Sequence, residues 1–311
     1  MNKIFVVLPT YFDGASVIEM VDEIQKIFES NLLELDPYFV LVDDSCGKDK
    51  VLIHLPLKLQ NLKNLKLINS KINQGNQGAI ILGLDFVMSK LDLGDLILVL
   101  DGDGEDDPKD IKVLIDAIKM DSTLDMVLAE RGKRFTDIKF KFSLFVFKVI
   151  FYVLTGKKWK AGNFSILKSD WLLDHYELIR AYNSYAGSIQ SIAANKIFIK
   201  IDRKPRRYGS TQTSNQGKIL HALSSLVPWV ETIQIRSLLF FGFMFLNFLL
   251  SLVTVSILKF IYHVAAPNWF TLVIFSTVSL SLIALNIFLT SQMLISIINL
   301  TKKFTQNTII K

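Results

Sequence analysis

The 311-residue sequence has one cysteine, Cys46, and four histidines: His54, His175, His221 and His263. A lone cysteine excludes an internal disulfide framework and is compatible with a reducing compartment. Four scattered histidines, with no HExxH and no Cys/His cluster, argue against zinc chemistry. A Walker phosphate loop is missing too, since Gly75-Asn-Gln-Gly78 has no following lysine. The net charge is +6, but no basic run stands clear of acids, so no nucleic-acid partner is expected. The sharpest absence is of acid. The 75 residues after Arg236 contain no Asp or Glu and only Lys259, Lys302, Lys303 and Lys311 as cations. The mean hydropathy of +0.37 is therefore an average over a charge-balanced globular part and a lipid-soluble tail.

Within the tail, Ser237 to Leu258 is 22 residues without charge or histidine, long enough at about 1.5 Å per residue to cross a bilayer core. Val264 to Thr301 is a second uncharged stretch of 38 residues, whose apolar centre starts near Trp269 and ends near Leu289. Two spans, about 237–258 and 269–291, joined by a short connector form a hairpin with both ends on one side. Arg236 before it and Lys302-Lys303 after it favour the cytoplasmic side. A tail of residues 302–311 then lies in the cytoplasm. Two buried helices of a soluble protein are the alternative. Residues 216–236 read as an amphipathic approach to the membrane. Residues 140–154 are apolar with Lys141 and Lys148 interspersed, too short to span. They suit a helix lying in the interface, or an ordinary buried helix.

The N-terminal part alternates strand and helix signals. Apolar runs at Ile4–Leu8, Tyr38–Val42, Leu65–Ile68, Leu96–Leu100 and Met126–Ala129 predict strands covered on both faces. Helical patterns at Ala15–Phe28, Ala79–Leu91 and Lys109–Met120 lie between them, the last after Pro108. This is a βαβ series, hence an α/β domain with a mainly parallel sheet. The first apolar run is too short for a signal peptide and ends at Pro9. In such sheets ligands bind beyond the carboxyl ends of the strands. Asp43-Asp44, Asp101-Gly102-Asp103 and Glu130-Arg131 sit at such ends. Asp101 and Asp103 can face one cavity, and hard divalent cations take carboxylates together with substrate phosphates. Gly102 and Gly104 would let a diphosphate approach the backbone.

Four motifs now stand in order: VVLPTY at 6–11, LVDDS at 41–45, NQGNQGA at 73–79 and LDGDGEDDP at 100–108. Together they resemble family 2 glycosyltransferases of the GT-A fold, and within them the bacterial dolichyl- and polyprenyl-phosphate glycosyltransferases. The segment Arg203-Lys-Pro-Arg206-Arg-Tyr-Gly209-Ser210-Thr211 and the two-span tail fit that group. The resemblance implies a GT-A domain over residues 1–215, with Mg²⁺ or Mn²⁺ held by Asp101 and Asp103 on a nucleotide-sugar diphosphate. It implies that Pro9, Thr10, Tyr11, Asp13, Asp43, Asp44, Gly75, Gly78 and Gly102 line the nucleotide pocket. Arg131, Arg203 and Arg206 join the two aspartates as catalytic candidates, the later arginines as phosphate grips.

The expected activity is inverting transfer of a sugar from a nucleotide donor to a polyprenyl (undecaprenyl) phosphate, for cell-surface polysaccharide or glycoconjugate assembly. The expected site is the bacterial inner membrane, with the catalytic domain cytoplasmic and self-association compatible. The rivals are transfer to a hydroxyl of a lipid-linked glycan and an inactive membrane scaffold. The chain departs from the family pattern at Lys160, Asn163 and Ser165, where carboxylates and an arginine are usual; Glu105 and Gln212 stand where Gln and Lys are usual. No catalytic carboxylate carries over to 160 or 163.

Overall fold

The computed structural model describes residues 2–31, 34–54, 62–131, 138–208, 222–263 and 268–309, with Leu59 and Gly217. The chain divides into two compact units, Met1–Phe145 with Trp159–Pro228, and Val146–Lys158 with Trp229–Lys311.

In the first unit the elements are β1 (Asn2–Thr10), α1 (Gly14–Asn31), β2 (Leu35–Asp43), α2 (Lys50–Ile53), β3 (Leu65–Asn69), α3 (Gly75–Met88), β4 (Leu96–Val99), α4 (Ile111–Met120), β5 (Met126–Arg131), the start of α5 (Ile138–Thr155), β6 (Ala161–Lys168), α6 (Ser169–Tyr182), α7 (Tyr185–Ser191) and β7 (Lys196–Ile201). All five strands and all three helices expected of residues 1–131 are present, within a few residues at their ends. Seven strands form one sheet in the order β3-β2-β1-β4-β6-β5-β7. Every pairing is parallel except those of β6, which runs antiparallel to both β4 and β5.

Side chains of a strand alternate between faces, and β1 uses both. Ile4, Val6 and Leu8 pack with Val17, Met20 and Ile24 of α1 and with Leu114 and Ile118 of α4. Phe5 and Val7 pack on the other face with Ile80 and Leu84 of α3, Leu172 and Ile179 of α6, and Ile189 of α7. Two covered faces explain why the strands read as unbroken apolar runs. Asp107 caps the turn at Pro108–Asp110, its side chain accepting the Lys109 N–H before α4 begins. β6 and β7 lie beyond the residues for which strands were expected, and the first half of β6, Ala-Gly-Asn-Phe-Ser, carries polar side chains that line the site.

In the second unit, α8 (Val230–Phe260) and α9 (Asn268–Ile309) are long and apolar. The stretches Ala222–Phe260 and Phe270–Leu294 have the length and composition to cross a membrane. The last turns of α5 belong to this unit. Phe151 is buried against Trp229, ring edge to face at 5.7 Å between centroids. The Arg236 guanidinium donates to the Val153 carbonyl at 3.2 and 3.3 Å. Two differences from the sequence reading stand out. The helix that contains the first span already runs from Val230, and within 216–229 the described residues Gly217 and 222–224 are helical too, while 216 and 218–221 lie outside the described residues. The second helix continues to Ile309, past the expected start of the tail at 302.

Candidate functional site: an acidic loop bound by an arginine segment

The site lies at the carboxyl ends of β1, β2 and β4. The chain leaves β4 through Leu100 and turns at Asp101. There the Gly102 N–H donates to the Pro9 carbonyl at 3.2 Å, which lashes the loop to the end of β1. A Cβ on Gly102 would meet that carbonyl oxygen at 2.6 Å and Val17 Cγ2 at 2.7 Å. The lack of a side chain at Gly102 is thus required by the chain's own packing. At Gly104 the backbone has φ +77°, and a side chain would collide with Arg207.

Arg207 belongs to a segment that follows β7 and lies along the loop. The Lys204 N–H donates to the Glu105 carbonyl at 3.0 Å and the Arg207 N–H to the Asp103 carbonyl at 3.3 Å. Arg203 meets three carboxylates at once: Nε to Asp106 at 3.0 Å, Nη1 to Glu105 at 2.8 Å and Nη2 to Asp101 at 2.8 Å. Its side chain is only 7% exposed. Burial works against its charge, but Asp106, Asp101 and Glu105 outweigh that and hold its pKa above the usual arginine value. Arg206 reaches Asp13 and lies 3.7 Å from Asp103. Lys204 pairs with Asp107 at 2.5 Å. Arg207 takes Glu23 of α1 in both arms at 2.9 and 2.6 Å, and the Tyr208 hydroxyl reaches Glu19.

Asp101 and Asp103 are not equivalent. Asp101 Oδ1 accepts from the Asn163 amide at 2.7 Å and the Asn76 amide at 3.0 Å, and its Oδ2 from Arg203. Asp103 Oδ1 accepts the Glu105 N–H at 3.0 Å. Burial, then the charges of Asp101 and Glu105, push the Asp103 carboxyl up to about 7. Added positive charge would relieve that strain, so Asp103 suits a hard divalent cation. Among the described residues no group of three or more His, Cys, Asp or Glu side chains is arranged to hold an ion. A cation here would draw its remaining ligands from phosphate oxygens and water.

The other expected pocket residues gather beside this loop. Thr10 and Asp43 stand side by side in the parallel register of β1 and β2. Asp43 Oδ1 accepts the Ser45 N–H at 2.8 Å. Asp43 Oδ2, Thr10 Oγ1 and Ser16 Oγ are buried with no hydrogen-bond partner, a cost that a bound polar ligand would remove. Asp44 accepts the Gln74 N–H at 2.8 Å just before Gly75 opens α3, and burial raises its pKa. Gly78 packs under the Gln74 side chain. Tyr11 and Phe12 are exposed, their rings edge to face at 4.8 Å. Arg131 ends β5 opposite Ile201, and its side chain lies outside the described residues. Lys160 lies with its ammonium 4.8 Å from the Phe198 ring centroid.

Sequence reasoning did not assign Gln77, Asn76, Glu105, Asp106 or Asn163 to the site. The register of β6 against β4 pairs Val99 with Ser165, so Asn163 comes level with Asp101. Glu105 takes one arm of Arg203, which gives a carboxylate a partner where the family pattern has an amide.

Residues 5–173, more than half of the chain, match the description Glycosyl transferase family 2. The chain belongs to that family. It is also similar to an uncharacterized glycosyltransferase of Synechocystis sp. (strain ATCC 27184 / PCC 6803 / Kazusa), 24% identical over 220 residues. The match covers 68% of this chain, which spans 64% of the length of that curated relative. Among solved structures, mannosyl-3-phosphoglycerate synthase from Rubrobacter xylanophilus is 14% identical, with TM-score 0.45 and 73% and 72% of the two chains covered. Glucosyl-3-phosphoglycerate synthase from Mycobacterium tuberculosis, solved with Mn²⁺, UDP and phosphoglyceric acid, is 9% identical, with TM-score 0.48 and 75% and 78% covered. The mainly parallel sheet with its acidic loop at the end of β4 is the GT-A arrangement that the motifs implied.

Proposed function

We propose that this protein is a membrane-anchored glycosyltransferase that moves a sugar, with inversion, from a nucleotide-sugar donor to a polyprenyl phosphate. The observation that carries the reading is the pairing of Asp101 and Asp103 with Arg203 and Arg206 at the carboxyl edge of the sheet, in a chain that also carries two helices of membrane-spanning length. Asp103 is the residue best placed to hold a divalent cation, with Asp101 shaping the loop beside it. A bound Mg²⁺ or Mn²⁺ would neutralise charge gathering on the departing nucleoside diphosphate. Arg206, whose partners are the carboxylates of Asp13 and Asp103, is placed to turn toward a phosphate. The unpartnered oxygens of Thr10 and Asp43 would receive hydrogen bonds from the nucleoside.

A phosphate acceptor is supported by what stands at 160 and 163. Lys160 offers no carboxylate, and the Asn163 amide is engaged at both ends, to Gln77 and to Asp101. A sugar hydroxyl needs a general base to take its proton, whereas a phosphate is already ionised near pH 7. The reading places the two spans in the bacterial inner membrane with the catalytic unit cytoplasmic, and the exposed apolar side chains of α5, such as Phe145, Val149, Ile150 and Val153, in the interface.

The test is incubation of the full chain in membranes with labelled UDP- and GDP-sugars and either undecaprenyl phosphate or lipid-linked oligosaccharide. Labelled undecaprenyl phosphate supports the reading. Label on the oligosaccharide alone moves the acceptor to a hydroxyl. Labelling that survives Asp101→Ala with Asp103→Ala would remove these carboxylates from the chemistry.

A further inference from the structure

Behind Asp101 runs a buried chain of amides. The backbone N–H of Ala186, in the first turn of α7, donates to Gln77 Oε1 at 2.9 Å. Gln77 Nε2 donates to Asn163 Oδ1 at 2.8 Å, and Asn163 Nδ2 donates to Asp101 Oδ1 at 2.7 Å. Gln77 is 6% and Asn163 2% exposed. The direction of this chain is not free. A backbone N–H can only donate, so Gln77 must turn its oxygen to Ala186 and its nitrogen to Asn163. Asn163 must in turn aim its nitrogen at the carboxylate. With Asn76 and Arg203, donors reach both oxygens of the same carboxylate.

We infer that Gln77 and Asn163 are positioning residues for the glycosyl-transfer site: a one-way amide relay, anchored on the Ala186 backbone, that fixes the rotamer of Asp101. Gln77 reaches Asp101 through Asn163. Four elements, α7, α3, β6 and the loop after β4, are thereby joined through one row of bonds. Amides in a row, each donating to the next acceptor, suit this better than a third carboxylate would, since a carboxylate at 163 would face Asp101 with like charge. The relay also accounts for polar residues in β6, where an apolar run would leave the carboxylate without its donor.

The inference rests on the donor reading above, and one experiment separates the two. The full chain in detergent micelles is titrated with MnCl₂ in the presence of UDP, and separately of GDP, with bound Mn²⁺ read from loss of the free-ion electron paramagnetic resonance signal. Wild type, Asn163→Leu, Gln77→Met and the double variant are compared, with thermal unfolding measured for each. Asn163→Leu is expected to weaken nucleotide-dependent Mn²⁺ binding about tenfold or more, the scale of one hydrogen bond to a charged group. Gln77→Met is expected to weaken it about threefold by releasing Asn163, and to add nothing in the Asn163→Leu background. A packing role alone predicts additive losses in melting temperature with unchanged Mn²⁺ binding, and that outcome overturns the relay. If Asn163→Leu does not fold, Gln77→Met decides alone, and equality with wild type overturns the relay. A wild type that binds Mn²⁺ with neither nucleotide overturns the donor reading and this inference with it.

Discussion

Arg203 and Asp101 meet at 2.8 Å with both side chains almost wholly withdrawn from water, although 102 residues separate them in the chain. The same guanidinium closes on Glu105 and Asp106. Removing one partner of a buried ion network leaves the others uncompensated, which costs about 3–5 kcal/mol. Arg203→Ala is therefore expected to lower the stability of the first unit by that order in denaturant titration. Arg203→Lys recovers only part of it, because a single ammonium has no planar fork with which to meet three carboxylates.

Asp103 illustrates a conflict between stability and function. Its carboxyl titrates near 7 in the folded protein against 3.8 as the unperturbed value. The folded state therefore holds more protons than the unfolded one between about pH 4 and 7, and stability falls as pH rises through that window. Without added metal, Asp103→Asn removes this dependence. The variant is expected to gain stability relative to wild type as pH goes from 4 to 8, while its glycosyl transfer falls at least about 100-fold. A pH series of melting curves beside a transfer assay checks both signs.

Two glycines at positive φ beside carboxylates, Gly47 and Gly104, make a controlled pair. Gly47, at φ +68°, has open space where a side chain would go, whereas Gly104, at φ +77°, has the Arg207 side chain. Gly47→Ala is expected to cost about 1–2 kcal/mol from backbone strain alone. Gly104→Ala adds a collision that pushes Arg207 off Glu23, so it costs more in denaturant titration. Combining it with Arg207→Ala should return the difference toward the value at Gly47.

In the second unit, Phe151 is the buried anchor between the end of α5 and Trp229. Phe151→Ala is expected to cost about 3–5 kcal/mol locally. Trypsin cleavage after the exposed Lys157 and Lys158, in membranes, is the measurement; it should speed up by at least about tenfold, and Arg236→Ala should act in the same direction.

How much of this was legible in advance depended on the range of the interaction. The strands from Ile4 to Ala129 announce themselves as apolar runs because both faces of the sheet are covered, a property written locally. Asp101 and Asp103 follow from their place after such a run. The function of Arg203 as the tie of three carboxylates was not readable, since its partners lie about a hundred positions earlier and a lone arginine in a polar segment has no period. Gln77 was hidden between the two glycines that drew attention in its motif. Asn163 was visible only as a departure at a position where a carboxylate is usual, and the register of β6 was needed to give that departure a meaning.

The alternation along β1 carries one more implication. Ile4, Val6 and Leu8 belong to one hydrophobic layer and Phe5 and Val7 to the other, so the strand acts as a shared wall. Such a wall tolerates changes of volume one side at a time. It tolerates no change of length: inserting or deleting one residue between Ile4 and Leu8 would trade the contents of both layers at once. It would also move Pro9 and Thr10 out of step with Gly102 and Asp43. Spacing, more than residue identity, is what this segment has to preserve.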